Sequence, residues 1–350
     1  MPTNSHSRRN VLKTGLAASL GLASGMGLSM VPSQAGDRSA ATDIHLSGAQ
    51  PNFRPGSQPL DRNTGAMHNL PFRVSLNAST LMAYELPVDE QVDMIAAAGF
   101  DGAELWMRDI RAYLEKGGTT AKLKEQLEAG NLLLENIIGF SQWCNDDAEE
   151  RAKALEVLRE EMEIIASLGG GYIATPVMGM DRLDPAKLGE YAERYRAILE
   201  LGDATGVVPL LELWGMGALH RVSDCAQITI ATGHPKAAML LDIYHVHRGG
   251  NSWETLDVLN GGRMPVMHMN DYPATPAWNE LTDADRVLPG EGACPFHEVI
   301  PRLYKAGFRG GFSVELFNRG YWEQWDAKQM LEQSYARTVE VLTGAMEGMD

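Results

Sequence analysis

The sequence has little positive charge for its length. Lysine and arginine number 30 against 46 aspartates and glutamates, which gives a net charge of −16 at pH 7. A protein that binds nucleic acid needs a basic surface to neutralise the phosphates. The composition therefore argues against nucleic acid as a partner, and an acidic surface of this kind is typical of a soluble protein.

Cysteine is also scarce. The three cysteines, Cys144, Cys225 and Cys294, are odd in number and lie far apart in the sequence. A disulfide framework or a cysteine-based metal site needs several cysteines at short, regular spacings, so the sequence predicts neither. A single disulfide stays open if the protein works in an oxidising compartment.

Several common catalytic and anchoring motifs are missing as well. The sequence contains no Ser-His-Asp order and no nucleophile elbow. Its triple glycine, Gly169-Gly170-Gly171, precedes a predicted strand, where it is typical of a helix end rather than a phosphate-binding loop. The apolar stretch from Thr14 to Met30 is short and diluted by glycine and serine, so it predicts no permanent membrane anchor.

That stretch instead belongs to a predicted export signal. The segment Ser7-Arg8-Arg9-Asn10-Val11-Leu12-Lys13 matches the twin-arginine pattern, and Ser33-Gln34-Ala35 resembles a cleavage site of small residues. Residues 1–35 are therefore predicted to be a twin-arginine signal peptide read by the twin-arginine export machinery. The mature protein would then be periplasmic or extracellular.

The remainder divides into a linker and one domain. Residues 36–71 are rich in polar residues, glycine and proline, lack periodicity, and predict a disordered linker. From residue 72 to residue 350, apolar strand-like segments alternate with amphipathic helical ones. Such strands between helices indicate a parallel sheet, and eight of them predict an α/β fold of the (β/α)8 TIM barrel class. We place the strands at Arg73–Thr80, Gly102–Met107, Leu133–Phe140, Tyr172–Val177, Val208–Trp214, Ala237–Tyr244, Pro265–Asn270 and Gly311–Phe317.

Two similar sequence segments support repeated helix–strand units. Ala98-Gly99-Phe100-Asp101-Gly102 precedes the second predicted strand, and Ala306-Gly307-Phe308-Arg309-Gly310 precedes the eighth. Both strands then carry a glutamate followed by a leucine, at Glu104 and at Glu315. We interpret this similarity as a sign of repetition in the fold rather than of function.

Four acidic or histidine residues end predicted strands five to eight in order. Active sites of such barrels lie at the carboxyl ends of the strands, where neighbouring strands aim side chains at one point. Three carboxylates and an imidazole form a ligand set for a divalent cation. The sequence therefore predicts one metal site built from Glu212, Asp242, His268 and Glu315.

The segments around these residues resemble the xylose isomerase-like TIM barrel family of sugar isomerases and epimerases. The motifs that carry the resemblance are Leu240-Leu-Asp242-Ile-Tyr-His245, His268-Met-Asn-Asp271, Leu288-Pro-Gly290-Glu-Gly292 and Ser313-Val-Glu315-Leu-Phe317. The resemblance implies a single divalent cation, with Mn²⁺ as the first choice and Mg²⁺, Co²⁺ or Zn²⁺ as alternatives. It also implies an enzyme that moves a proton next to a carbonyl through a metal-bound enediolate, with Glu212 and Glu315 as the catalytic acid and base.

The resemblance further suggests residues that bind a small carbohydrate substrate. His245 matches a substrate-binding histidine of the family, and Arg286 matches a loop arginine that often faces substrate. Tryptophan placement adds an independent clue, because all seven tryptophans fall at predicted strand ends or in the following loops. We expect Trp106 and Trp214 to line the pocket, since aromatic rings bind the apolar faces of sugars. A wide aromatic rim would suit a glycoside or a disaccharide-sized substrate better than a small phosphate ester.

Two departures from the family's ketose epimerases keep other functions open. Those enzymes carry a substrate-contacting glutamate where this chain has Ala218, and a substrate-contacting arginine where it has Ala274. A lyase on the same metal site, either a dehydratase or an eliminase of a keto sugar or glycoside, is therefore the alternative. A repair nuclease on this barrel is disfavoured, because it needs further histidines on the second and third strands. A non-catalytic binder and a homo-oligomer both stay open.

Overall fold

The structure is a computed structural model that describes residues 68–348. Its β-strands are β1 (Arg73–Asn77), β2 (Gly102–Trp106), β3 (Leu133–Ile138), β4 (Tyr172–Pro176), β5 (Val208–Glu212), β6 (Met239–Asp242), β7 (Val266–Met269) and β8 (Gly311–Val314). Its α-helices are α1 (Val88–Ala97), α2 (Met107–Glu115), α3 (Thr120–Ala129), α4 (Ala148–Leu168), α5 (Leu188–Asp203), α6 (Val222–Ala231), α7 (Ile243–Arg248), α8 (Phe296–Lys305), α9 (Arg319–Gln324) and α10 (Ala327–Met346). The predicted signal peptide and almost all of the predicted linker lie outside the described residues.

The eight strands pair in sequence order, and β8 pairs with β1 to close the barrel. Every pairing is parallel, as the near-continuous apolar strands predict. The predicted TIM barrel class is therefore confirmed. Each strand ends earlier than predicted, and at β1 and β6 a polar side chain at the strand end caps the turn that follows. Asn77, for example, accepts a hydrogen bond from the backbone N–H of Ser79 and begins a 3-10 helix at Ala78–Tyr84.

Three short helices that the sequence did not predict follow strands β2, β6 and β8, the first two directly and the third after four residues. The first, α2, begins one residue after Trp106, and α7 begins one residue after Asp242. The third, α9, contains Trp322, so one tryptophan expected in a loop lies in a helix. These helices form the rim of the barrel mouth and fix the direction of the side chains at the strand ends.

The helix α4 shows how sequence pattern becomes packing. Leu158, Met162 and Ile165 recur at helical spacing and are fully buried. The side chain of Asp147 caps its first turn by accepting from the N–H groups of Glu149 and Glu150. Gly169 then ends the helix in the left-handed conformation that glycine adopts without steric cost.

The amino end of the barrel interior is closed by an ion pair. The guanidinium of Arg73 donates to both carboxylate oxygens of Glu135, at 2.5 and 2.9 Å, and the hydroxyl of Ser75 donates to the same carboxylate at 2.9 Å. Gly102 and Gly311 face this carboxylate, and a Cβ at either position would lie within 2.7 Å of Glu135 atoms. The two strands therefore need glycine here to admit a buried glutamate.

Two further sequence observations have outcomes in the fold. Cys144, Cys225 and Cys294 are all free thiols, so the disulfide that the sequence left open does not form in this structure. Within residues 68–348, none of the helices combines the length and the apolar character needed to cross a membrane.

Candidate active site at the carboxyl ends of the strands

The register of the barrel places the four predicted metal ligands side by side. Asp242 on β6 is the direct neighbour of His268 on β7, and His268 in turn pairs with Ser313 on β8. Glu212 is the last residue of β5, and Glu315 lies one residue beyond the end of β8. All four side chains therefore reach the same end of the barrel interior, where they are almost completely buried.

The imidazole of His268 is the centre of this group. Its Nδ1 atom lies 3.2 Å from Glu315 Oε2, 3.6 Å from Asp242 Oδ2 and 3.9 Å from Glu212 Oε1. Ligand atoms of Asp242, His268 and Glu315 all lie within 4.8 Å of one another, and Glu212 lies at the edge of this trio. The structure thus brings together all four residues, with Glu212 the most distant.

Two atoms of this group are buried without a hydrogen bond. Neither Glu212 Oε2 nor His268 Nδ1 has a partner of hydrogen-bond geometry among the described residues. Leaving such atoms unpaired in a dry interior is costly, so they call for a ligand. Three carboxylates and an imidazole nitrogen are donors that a divalent cation accepts. The residues present therefore fit a divalent cation.

Glu104 is a residue of this group that the sequence analysis did not select. It is fully buried in the middle of β2, and its Oε2 lies 3.1 Å from His268 Nε2. Asn136 and Asn77 donate further hydrogen bonds to the same carboxylate. The contact at Nε2 leaves Nδ1 as the nitrogen that faces the other carboxylates, which is how outer carboxylates orient a histidine ligand. The sequence signal for Glu104 was its similarity in position to Glu315, since each is followed by leucine in a similar segment. We interpreted this similarity as a repeat of the fold.

Arg286 lies inside the ligand group rather than at its rim. It is 1% exposed, and its Nη1 donates to Asp242 Oδ2 at 2.9 Å and to Glu315 Oε2 at 2.6 Å. Its Nη2 donates to Asp283 Oδ1 at 2.6 Å and lies 3.1 Å from His245 Nε2. The guanidinium also lies over the rings of Tyr244 and Phe317. A side chain expected to face substrate therefore also supplies positive charge to two of the predicted ligands.

The long loop after β7 holds Arg286 in place through Asp271. The Asp271 carboxylate accepts hydrogen bonds from four backbone N–H groups, those of Tyr272, Gly290, Gly292 and Cys294. Its backbone also pairs with Val287, the residue after Arg286. A Cβ at Gly292 would lie 2.4 Å from the Asp271 carboxylate, so glycine is required for this approach. The glycines of the Leu-Pro-Gly-Glu-Gly segment thus serve the loop geometry.

Charges in the site move two pKa values in opposite directions. Burial alone would raise the pKa of Asp242, but the positive charge of Arg286 and the nearby His268 outweigh it and hold this pKa well below its usual range. Burial would lower the pKa of His268, but Glu315 and Glu104 outweigh it and raise this pKa well above its usual range. Without a cation, an ionised Asp242 would therefore lie next to a protonated His268.

Two other groups lose their charge on burial. Burial raises the pKa of Glu212 to about 8, and the nearby Glu315 adds to this rise. Burial also lowers the pKa of His245 to about 4, with Arg286 acting in the same direction. Since the neutral His245 accepts from Arg286 at Nε2, its proton is assigned to Nδ1, which has no hydrogen-bond partner within the described part of the chain.

A pocket of about 370 Å³ opens onto these residues. Glu212, His245, Arg286 and Glu315 line it, together with Trp106 and Trp214 as expected from their positions. Phe140 lies between the two indoles, with ring centroids 5.2 Å from Trp106 and 6.2 Å from Trp214. Trp143, in contrast, is fully buried and donates to the backbone oxygen of Pro176, so it packs a loop. A larger cleft of about 890 Å³ beside α2 lies apart from this ligand group and is lined by none of its residues.

Comparisons with known proteins agree with the barrel fold. A profile of the family described as "Xylose isomerase-like TIM barrel" matches residues 92–342. An inosose isomerase of Halalkalibacterium halodurans is 25% identical over 252 residues, which cover 70% of this chain and 88% of that protein. A 3-dehydroshikimate dehydratase of Pseudomonas putida is 23% identical over 66% of this chain and 36% of its own length. A solved structure of the IOLI protein with a bound zinc atom superposes with a TM-score of 0.72 at 20% identity, covering 79% of this chain and 99% of that one.

Proposed function

The chain belongs to the xylose isomerase-like TIM barrel family, and from this premise we propose that it is a divalent-metal-dependent isomerase or epimerase of a carbohydrate. The observation that carries the proposal is the convergence of Glu212, Asp242 and Glu315 within 4 Å of His268 Nδ1. The inosose isomerases among its relatives support an isomerase reaction on a polyhydroxylated ring.

Four side chains would hold the cation: Glu212, Asp242, His268 and Glu315. A bound divalent cation would polarise a substrate carbonyl or hydroxyl and so lower the cost of removing the neighbouring proton. The zinc in the related solved structure supports a divalent ion of this class. Mn²⁺ remains our first choice, with Mg²⁺, Co²⁺ and Zn²⁺ as alternatives.

Glu212 and Glu315 are the proposed acid and base. Both line the pocket, so both can reach a substrate carbon held there. Burial raises the pKa of Glu212 to about 8, and a bound cation would lower it again, which would leave an ionised carboxylate that can take a proton. Its unpaired Oε2 is the atom that would carry the proton. Glu315 would act from the neighbouring position, where Arg286 and Asn77 orient its two oxygens.

Two polar side chains and two indoles would bind and orient the substrate. His245 Nδ1 offers a proton without a present partner, and Arg286 lies next to it on the pocket wall. Trp106 is held in place by a hydrogen bond from its Nε1 to Asn77 Oδ1. Trp214 lies against His245, with ring centroids 6.3 Å apart. The indoles would cover an apolar sugar face and exclude water from the carbon that loses its proton.

A lyase on the same site is the second candidate. Two observations favour it: the related dehydratase acts on a cyclic keto compound by its name, and Ala218 is a buried alanine where the ketose epimerases carry a glutamate. Both reactions begin by removing a proton beside a carbonyl. Only the lyase then expels a leaving group and yields an unsaturated product.

We further propose that the protein acts after export by the twin-arginine route, in the periplasm or outside the cell. The support is the order of the Arg8-Arg9 pair, the apolar stretch and the small-residue site in the sequence. Fractionation of cells that express the full chain would test it, with Arg8→Lys plus Arg9→Lys as the control variant. Retention of the unaltered chain in the cytoplasm would contradict this part of the proposal.

The test of activity uses deuterium exchange. Purified protein loaded with Mn²⁺ is incubated in heavy water with sugars, inososes and 3-keto sugars, and the products are analysed by NMR. We expect deuterium at one carbon next to a carbonyl, and loss of exchange in Glu212→Gln but not in Glu156→Gln on the exposed face of α4. A new double bond in the product would replace the isomerase with the lyase. No exchange with any substrate, with or without metal, would contradict both.

A further inference from the structure

A second cavity lies next to the pocket above the ligand group. A groove of about 520 Å³ runs between α2 and α4 and shares two of its lining residues, Ile138 and Phe140, with the pocket. Phe140 is 42% exposed although its ring packs against Trp106 and Trp214. Phe140 therefore offers an apolar surface to both cavities, where a bound molecule could contact it.

The groove contains a carboxylate with one oxygen that has no hydrogen bond to any described residue. Glu161 on α4 is 8% exposed and lines the groove, and its Oε2 has no hydrogen bond to any described residue. Its other oxygen meets Arg111 on α2, at 3.4 Å from Nη2. A buried carboxylate oxygen without a donor is costly to maintain. A ligand hydroxyl is the simplest donor to supply the missing bond, and Arg111 can serve the neighbouring hydroxyl.

The shape of the two cavities fits two rings. At about 370 Å³, the pocket lies at the lower end of the size range of small-molecule sites, roughly 300–1,000 Å³. It therefore suits one sugar ring, and the groove offers room for a second. The floor of the groove is apolar at Phe140 and Val157, and its sides carry Arg111 and Glu161. Apolar surface below and hydrogen-bonding groups at the edge are what a sugar ring requires.

The charges of the pocket argue against a phosphorylated sugar. Arg286 is the arginine that lines the pocket, and its guanidinium already bonds to Asp242, Glu315 and Asp283. No lysine lines the pocket within the described residues, whereas three carboxylates do. A phosphate group in the pocket would meet these carboxylates, and the two arginines of the neighbouring groove, Arg108 and Arg111, are each already paired with a carboxylate.

We infer that the substrate is a neutral disaccharide, with the reacting ring in the pocket and the second ring across Phe140, where Glu161 and Arg111 bind its hydroxyls. This inference rests on the proposed function, because it assumes that the ring in the pocket is a carbohydrate. It goes further by assigning α4 and α2 a part in substrate recognition.

The test compares ligands of one and two rings by isothermal titration calorimetry on the purified full chain. The probes are methyl β-D-glucopyranoside, the disaccharides cellobiose and maltose, and glucose 6-phosphate. We expect one disaccharide to bind at least about tenfold more tightly than the methyl glucoside. Glu161→Gln and Arg111→Ala should each reduce that ratio about fivefold, as loss of one hydrogen bond does. Glu160→Gln, one residue away on the exposed face of α4, should leave the ratio unchanged.

Several outcomes would overturn the inference. These are equal affinity for one and two rings, tightest binding of glucose 6-phosphate, groove variants that match Glu160→Gln, and failure of both disaccharides to bind. The proposed function fails separately. If disaccharides bind through the groove but no deuterium exchange occurs, the proposed enzymatic function is wrong. If monosaccharides exchange deuterium and the groove variants have no effect, only the disaccharide inference is wrong.

Discussion

Both ends of the barrel interior contain buried charges, but the charges are arranged differently. At the amino end, Arg73 and Glu135 form a bidentate pair, and Ser75 adds a third hydrogen bond. At the carboxyl end, several carboxylates surround His268 and Arg286, and two ligand atoms have no hydrogen bond to the described residues. A closed pair is what a structural role requires, and an excess of negative charge with unpaired atoms is what a cation site requires. The amino end of the barrel interior therefore suits a structural role, and the carboxyl end suits a cation site.

The largest expected effect comes from matched changes at the two ends. Asp242→Asn should reduce Mn²⁺ affinity more than about 100-fold, because it removes a charged ligand. Glu135→Gln should leave Mn²⁺ affinity unchanged but lower the free energy of unfolding by about 3 kcal/mol, because it leaves Arg73 buried without its partner. Metal titration and urea unfolding measure the two quantities. Equal effects of both variants on metal binding would break the comparison.

A substitution at Glu212 should change activity and stability in opposite directions. Glu212→Gln should lower kcat about 10²- to 10⁴-fold, the range for loss of a general acid or base. In metal-free protein it should also raise the free energy of unfolding at neutral pH. The folded-state pKa of Glu212, about 8, lies above the unfolded value. The unaltered protein should therefore lose free energy of unfolding as pH rises from about 4.5 toward 8. Unfolding measured in EDTA at pH 5 and pH 8 tests the sign, and a glutamine variant that is less stable at pH 8 would contradict it.

The contact between Glu104 and His268 should matter less than a direct ligand. Glu104→Gln keeps the shape of the side chain but weakens its hold on His268 Nε2. We expect about a 10- to 100-fold loss in metal affinity, which is typical of residues that orient a histidine ligand. A competition titration with a chelator measures it, and Glu156→Gln serves as the control. An unchanged affinity would make Glu104 a structural residue like Glu135.

A further expected effect is the pH dependence of metal binding. Glu212, with a pKa of about 8, and His268, with a raised pKa, must both lose protons before they bind a cation. Affinity for Mn²⁺ should therefore rise with pH between about pH 6 and pH 8, by up to about tenfold per unit for each proton released. The increase of Mn²⁺ affinity with pH should be less steep in Glu212→Gln. A pH-independent affinity would mean that these groups are not the ligands.

The sequence predicts the barrel and the place of the site because both depend on local patterns. Apolar strands between amphipathic helices specify the fold, and Glu212, Asp242 and His268 end strands at regular spacing. What the sequence does not reveal depends on contacts between distant segments. Glu104 meets His268 across 164 residues, and Arg286 enters the ligand group only because Asp271 folds the loop around it. The sequence alone does not show which strands lie opposite each other. A glutamate in a repeated segment, such as Glu104, therefore cannot be distinguished from one that contacts a metal ligand.

Anomalous diffraction at the manganese edge, from crystals of the Mn²⁺-loaded protein, tests the central claim most directly. The account predicts one anomalous peak bonded to Glu212, Asp242, His268 and Glu315. A peak elsewhere in the molecule would contradict it. So would the absence of any peak in this group, with Arg286 still bonded to Asp242 and Glu315.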